Sequence, residues 1–225
     1  MAGKRSEFVV LIPQKHLRGA KSRLSSVLTT RARQELVLRM LHHTLDVCQQ
    51  LRDAAKIFVC GPEDVASLIR EHQAVLLPGG REGMRRDVTH VACAADVAGH
   101  YAMLMVSSDL PMLAVEDLEV VIEAWRECAD VVLCPDRRRR GTNVMMLNEP
   151  EHFGFAFGDV VGPGSFNMHL AQAQGTGLRV EVIERPGLQL DIDLPEDLAR
   201  FIAVAPDHPL ARFAKARFQE AFRFE

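Results

Sequence analysis

Residues 8–13, Phe8-Val9-Val10-Leu11-Ile12-Pro13, are apolar without interruption. A strand with one wet face alternates apolar and polar side chains. A continuous run needs cover on both faces, as in the interior of a parallel sheet. Parallel strands also need a crossover between them, usually a helix. The rest of the chain supplies that alternation. Helical spacing of Leu36, Met40, Leu41, Leu45 and Val47 predicts a helix over 30–52, capped by Thr29 or Thr30. Strands are expected at 56–60 and 74–77, with a short helix at 63–72 between them. A small-residue helix over 87–98 leads to a central strand running from Tyr101 to about Ser107. Helices are expected at 115–128 (with Trp125 as a core anchor), 165–174 and 195–203, and strands at 130–134, 143–147 and 178–184. This rhythm predicts an α/β fold: a Rossmann-like, mostly parallel sheet flanked by helices, as one domain over residues 1–225.

Composition narrows the partners. With 225 residues, 48% hydrophobic, the chain can bury a full core. A net charge of −3 gives no general attraction to nucleic acid or a membrane surface. No stretch approaches the roughly 18 uninterrupted apolar residues of a membrane span. Met1 to Glu7 is charged and lacks an apolar signal core, so a cytoplasmic protein is expected. The five cysteines, Cys48, Cys60, Cys93, Cys128 and Cys134, contain no CxxC pair and read as reduced, mostly buried thiols.

Ligands of such sheets bind beyond the carboxyl ends of the strands, which directs attention to the loops after Ile12, Val106 and Leu190. The first, from Pro13 to Leu24, gathers Lys15, His16, Arg18, Lys21 and Arg23 around a flexible Gly19-Ala20 pair. It lacks the GxxxxGK[ST] spacing of a P-loop, but its lysines and arginines suit a triphosphate. The second presents Asp109 within Ser107-Ser108-Asp109-Leu110-Pro111, either as a metal ligand or as a turn cap. The third, Leu190-Asp191-Ile192-Asp193-Leu194-Pro195-Glu196-Asp197-Leu198, crowds four carboxylates into seven residues. On a strand, Asp191 and Asp193 would share one face. Facing Asp109, they would offer hard oxygen ligands to magnesium, while Asp193 could also cap the next helix and Glu196 and Asp197 favour its positive end.

Further along, Arg137 to Arg140 reads chiefly as a solvated loop, one member of which could reach a phosphate. Gly162-Pro163-Gly164-Ser165 opens a helix, with Ser165 as its expected cap and the helix end as an anion site. The nine histidines, including His42-His43, His90 and His169, show no metal-ligand spacing. No GxSxG elbow or Cys-His pattern points to covalent catalysis. Leu210 to Phe222, with Phe213 and Phe218, could pack on its own domain or on a second subunit.

Five stretches, in this order along nearly the whole chain, resemble the CofC/FbiD family of guanylyltransferases of deazaflavin coenzyme (F-420) biosynthesis. They are IPQKHLRGAKSRL at 12–24, SSDLPML at 107–113, GTNVMML at 141–147, GPGSFNMHL at 162–170 and GLQLDIDLPEDL at 187–198. The resemblance implies a MobA-like, GT-A-like fold of the nucleotide-diphospho-sugar transferase type. It implies transfer of GMP from GTP to a phosphorylated three-carbon acid (phosphoenolpyruvate, 2-phospho-L-lactate or 3-phosphoglycerate) with release of pyrophosphate. By motif position, Asp109, Asp191 and Asp193 would hold magnesium. Pro13, Lys15, Lys21, Arg23 and Gly83 would bind the nucleotide, Lys15, Lys21 and Asp109 acting in catalysis. Thr142, Gly162 and Ser165 would hold the phospho-acid. The chain departs from the family pattern at Gly83-Met84-Arg85-Arg86-Asp87, where a Gly-Leu-Asn turn is usual near the base. About four extra residues around Asp159-Val161 precede Gly162, and Ser107-Ser108 stands for Pro-Ala. Two other readings stay open: a nucleotidyltransferase of the same fold with another NTP or acceptor, and a non-catalytic nucleotide-binding regulator.

Overall fold

The run Phe8–Pro13 is a fully buried strand, β1, in the interior of a seven-stranded sheet. This computed structural model describes residues 7–79, 83–94, 102–127, 129–157 and 162–221. Tyr101, Cys128, Phe222, the end of the helix expected over 87–98 and the insertion at 158–161 lie outside them. The other strands are β2 (Ala54–Gly61), β3 (Val75–Pro78), β4 (Ala102–Val106), β5 (Val131–Pro135), β6 (Thr142–Asn148) and β7 (Val180–Val182). Helices are α1 (Thr30–Cys48), α2 (Ala66–Glu71), α3 (Met84–Ala92), α4 (Val115–Glu127), α5 (Ser165–Gly175), α6 (Pro186–Gln189), α7 (Pro195–Val204) and α8 (Pro209–Ala221).

The spatial order is β3-β2-β1-β4-β6-β5-β7. Every pairing is parallel except those of β6, which runs antiparallel to both β4 and β5. Apolar continuity predicts burial on both faces but cannot assign direction. The short connection from Pro135 to Thr142, too short for a crossover helix, forces β6 to reverse. Sequence order proceeds from β1 outward through β2 to β3, then returns to β4 on the other side of β1. The carboxyl ends of β1 and β4 therefore flank a topological switch point, where open α/β sheets bind ligands.

Alternation survives within the apolar runs as a division between two cores. Phe8, Val10 and Ile12, with Leu104 and Val106, pack under α1, α2 and α4, where Trp125 is fully buried against Phe8. Val9 and Leu11, with Met103 and Met105, face Val88, Val91, Phe153, Phe155 and Phe166 on the other side. A third cluster lies at the end of the chain. Leu36, Val37 and Met40 of α1 meet Ile192, Leu198, Phe201, Leu210, Ala211 and Ala214. Helix α8 thus packs on its own chain, and Arg39 and Arg217 lie over the Phe213 ring. Thr29 caps α1 by accepting from the Ala32 amide. Cys48, Cys60 and Cys134 are buried free thiols, and Cys93 is exposed. No helix of the described residues is long and apolar enough to cross a membrane.

Candidate active site

At the switch point, Lys21 reaches into the molecule from the loop after β1, its backbone in the left-handed region at φ 47°. Its Nζ donates at 2.7 Å to Asp109 Oδ2 and at 2.7 Å to Asp193 Oδ1. Asp109 follows β4 directly. Asp191 and Asp193 arrive on the segment between α6 and α7, which the Ile192 amide ties to the Asp109 carbonyl at 3.2 Å. Three chain segments far apart in sequence thus meet at one cation.

The segment is an irregular connection rather than the strand its alternation predicts, because α6 and α7 flank it and no neighbouring strand supplies a ladder. Alternation still has its effect. Ile192 is fully buried in the third cluster, Asp193 beside it reaches Lys21, and Asp191 on its other side feels the charges of Asp109, Asp193 and Lys21. Asp193 does not cap α7. That part belongs to Asp197, 4% exposed, whose carboxylate accepts from the Leu194 amide at 2.9 Å and the Asp193 amide at 3.3 Å. Arg138 donates to its other oxygen at 3.0 Å. Arg138 and Asp197 thereby hold the aspartate segment in place, a role their 59-residue separation hides in sequence. The arginine run is correspondingly more engaged than a solvated loop. Arg139 pairs with Glu184 and lies over Phe166, and Arg140 donates to the Gly162 carbonyl. Helix α6 is seated close against α4: a methyl on Gly187 would collide with the buried Asp117, itself paired with Arg185 at 2.6 Å.

The charges are strongly coupled. Burial alone would lower the Lys21 pKa, but Asp109 and Asp193 more than offset it and hold the ammonium well above its usual range. Burial likewise opposes ionisation of Asp193. Lys21, with Lys15 and Arg23 behind it, nevertheless keeps that carboxyl below its ordinary value. Asp191 receives the smaller share of this compensation. Burial, then the Asp109 and Asp193 charges, push its carboxyl up to about 7.

The basic loop also borders a cleft of about 1110 Å³ beyond the ends of β2 and β3. His16, Gly61, Asp64, Gly79, Arg85, Arg86 and His90 are among the lining residues. Gly83, at φ 92°, precedes α3, which supplies Arg85, Arg86 and His90 to this cleft. Lys15 and Arg23 are exposed on the loop, and Pro13 accepts from the Ser108 hydroxyl at 3.5 Å.

On the other side, Thr142 at the start of β6 meets the Gly162–Ser165 turn. The Ser165 hydroxyl does not cap α5; it accepts from the Thr142 amide at 3.0 Å. Gly164, at φ 87°, precedes the helix with no room for a methyl against the Arg140 carbonyl, which accepts from the Phe166 amide at 3.0 Å. That amide of the helix end is therefore already engaged. His169, fully buried, accepts from the Ala156 amide through Nε2 at 2.8 Å. Burial pushes its pKa down to about 4, so the ring is neutral and its proton resides on Nδ1. Nδ1 then donates to Thr142 Oγ1 at 2.9 Å, leaving the Thr142 hydroxyl proton to be donated elsewhere.

His169 and Asp191 load the fold's pH dependence in opposite directions. A histidine lowered from 6.5 to about 4 contributes stability that is complete above 6.5 and lost as pH falls toward 4. An aspartate raised from 3.8 to about 7 does the reverse: the fold gains as pH falls from 7 toward 3.8. Each slope approaches ~1.4 kcal/mol per pH unit per proton at most. Thermal unfolding from pH 4 to 8 without divalent ions should show Asp191→Asn gaining stability over wild type as pH rises from 4 to about 7, and levelling off above it. His169→Gln should differ from wild type by a slope of the opposite sign. Parallel curves for all three proteins would contradict both assignments.

Comparison with known proteins fits this geometry. The family model described as "Guanylyl transferase CofC like" matches residues 8–216. The phosphoenolpyruvate guanylyltransferase of Rubrobacter xylanophilus is 36% identical over 204 residues, covering 86% of this chain and 92% of the relative. The 2-phospho-L-lactate guanylyltransferase of Methanopyrus kandleri is 33% identical over 178 residues, covering 79% and 82%. Among solved structures, one from Desulfovibrio desulfuricans G20, described as a nucleotide-diphospho-sugar transferase, superposes with a TM-score of 0.76 at 16% identity. It covers 96% of this chain and 98% of its own, and shows the fold.

Proposed function

Because the chain belongs to the family of CofC-like guanylyl transferases, we propose that it transfers GMP from GTP to the phosphate of phosphoenolpyruvate, releasing pyrophosphate, in the cytoplasmic assembly of a deazaflavin coenzyme. The observation that carries this reading is the pairing of Asp109 and Asp193 on Lys21, with Asp191 electrostatically coupled to both, beside the basic loop and cleft. A phosphate monoester is already a nucleophile, so no general base is needed. One of its oxygens forms a bond to the GTP α-phosphorus as the α–β phosphoanhydride bond breaks, and pyrophosphate carries away the electron pair. Catalysis then consists of holding two anions in line and neutralising the charge that builds up between them.

The residues divide that work. Asp109, Asp191 and Asp193 fit magnesium: all are oxygen donors, and Asp191 is short of compensating charge until a cation adds to Lys21. Magnesium supplies Lewis-acid stabilisation of phosphate charge. Lys15 and Arg23 draw the triphosphate along the loop. Lys21 keeps the carboxylates together and adds positive charge beside the reacting phosphate. The cleft takes the nucleoside, with Gly83 and Pro13 at its approaches. The Thr142 hydroxyl, oriented by His169, donates toward the acceptor, with Ser165 and Gly162 shaping that pocket. Phosphoenolpyruvate is the acceptor named for the Rubrobacter relative.

Purified protein with GTP, magnesium and each of phosphoenolpyruvate, 2-phospho-L-lactate and 3-phosphoglycerate should release pyrophosphate fastest with phosphoenolpyruvate. A clear preference for either other acid would change the acceptor. No release with any of the three, or a preference for CTP, UTP or ATP, would overturn guanylyl transfer.

A further inference from the structure

Away from the carboxylate cluster, α1 and α2 bring together three residues that sequence spacing did not connect. His42 and Asp46 sit one turn apart on α1, so their side chains share a face. His72 follows α2 directly. His42 Nδ1 lies 2.9 Å from Asp46 Oδ2, and His72 Nε2 lies 3.1 Å from Asp46 Oδ1. One ligand atom from each residue falls within 4.8 Å of the other two. This is the one such group of three among the described residues. A tetrahedral zinc ion with bonds of about 2.0–2.1 Å holds its ligand atoms roughly 3.3 Å apart, close to the two nitrogen–oxygen separations of 2.9 and 3.1 Å at Asp46.

The histidine that follows α2 has the ring hydrogen bond common among metal-bound histidines. His72 is 7% exposed, and its Nδ1 lies 2.9 Å from the Leu68 carbonyl. A ring N–H directed at a backbone carbonyl fixes the tautomer and aims the lone pair of the other nitrogen at the ion. With Nδ1 as donor, a neutral ring turns the Nε2 lone pair toward the Asp46 carboxylate, and a metal cation would be well received between two such acceptors. The backbone of His72 is tied to α1 as well, Gln49 Nε2 donating to the His72 carbonyl at 2.6 Å. His42 and Asp46 are 52% and 50% exposed, which leaves the outer side open to solvent ligands.

We propose that His42, Asp46 and His72 bind one divalent transition-metal ion of the zinc class, fastening α1 to the end of α2. Two imidazoles and one carboxylate suit zinc, cobalt(II) or nickel, whereas magnesium takes oxygen ligands. The site uses none of the residues assigned to guanylyl transfer.

The test uses full-length protein stripped with a chelator that is then removed, titrated with cobalt(II) in excess magnesium and followed by visible absorption, with zinc binding measured calorimetrically. One ion per chain is expected, with a rise in Tm. His42→Ala, at a half-exposed position that tolerates truncation, should weaken binding at least ~10-fold and abolish the Tm rise. Asp109→Asn should leave both unchanged. Absence of stoichiometric binding would overturn the proposal. So would binding indifferent to His42→Ala, or binding lost in Asp109→Asn.

Discussion

Asp109→Asn is expected to lower kcat/KM for guanylyl transfer by on the order of 10³-fold or more while changing folding stability by less than about 1 kcal/mol. The asparagine keeps the size of the side chain and one oxygen, but not the charge that a cation and Lys21 both require. Stability changes little because two effects oppose each other. The Lys21 contact loses its charge, and the repulsion that raises Asp191 is relieved. Pyrophosphate release beside thermal unfolding in chelator separates the two quantities. Turnover within a few-fold of wild type would remove Asp109 from the catalytic assignment. Lost turnover together with a collapsed Tm would show Asp109 to be structural instead.

Lys21→Met should give the largest loss of stability of any substitution at the site, about 2–4 kcal/mol near pH 8 without divalent ions. Lys21 is 12% exposed, and its removal leaves Asp109, Asp191 and Asp193 facing one another without their ammonium. The loss should shrink toward pH 5, because carboxylates without a partner escape repulsion by taking up protons. Magnesium should restore much of it by entering where the cation is missing, so the Tm of the variant should respond to magnesium far more than that of wild type. Equal responses would mean that the ion does not take the place of Lys21, and no response in either protein that the carboxylates do not bind it. A loss independent of pH would mean that Lys21 matters for packing rather than charge. Activity should also fall, because methionine supplies no charge beside the phosphates.

These two residues differ in how far sequence exposes them. Asp109 directly follows a buried apolar run, and its position alone marks it. Lys21 is one of five basic or potentially basic side chains in its loop, and nothing local distinguishes it from Lys15 or Arg18. Only the fold turns it inward, through a left-handed backbone at φ 47°. The Asp191–Asp193 pair was legible as a same-face alternation, but the strand expected to carry it was not there. Its anchor is the burial of Ile192, and its second support is Asp197, held by Arg138 from another part of the chain. The hydroxyl of Ser165 is a parallel case. Its sequence position is that of a helix cap, yet the nearby start of β6 offers the Thr142 amide and takes the acceptor instead.

Half of the histidine cluster was visible in principle, since His42 and Asp46 stand four apart in a clear helical pattern. The other half depends on where α2 ends against α1. The direction of β6 was similarly beyond pattern reading, because side-chain alternation is the same for parallel and antiparallel strands.

The sequence by itself determined the α/β class, the positions of the strands and main helices, and which loops carry charge, since periodicity and burial are local properties of the chain. Tertiary structure alone decided which charges meet. The switch point beside β1 brings residues 21, 109 and 193 within hydrogen-bonding distance. Coulombic and hydrogen-bond energies depend on separation in space, and separation along the chain does not report it.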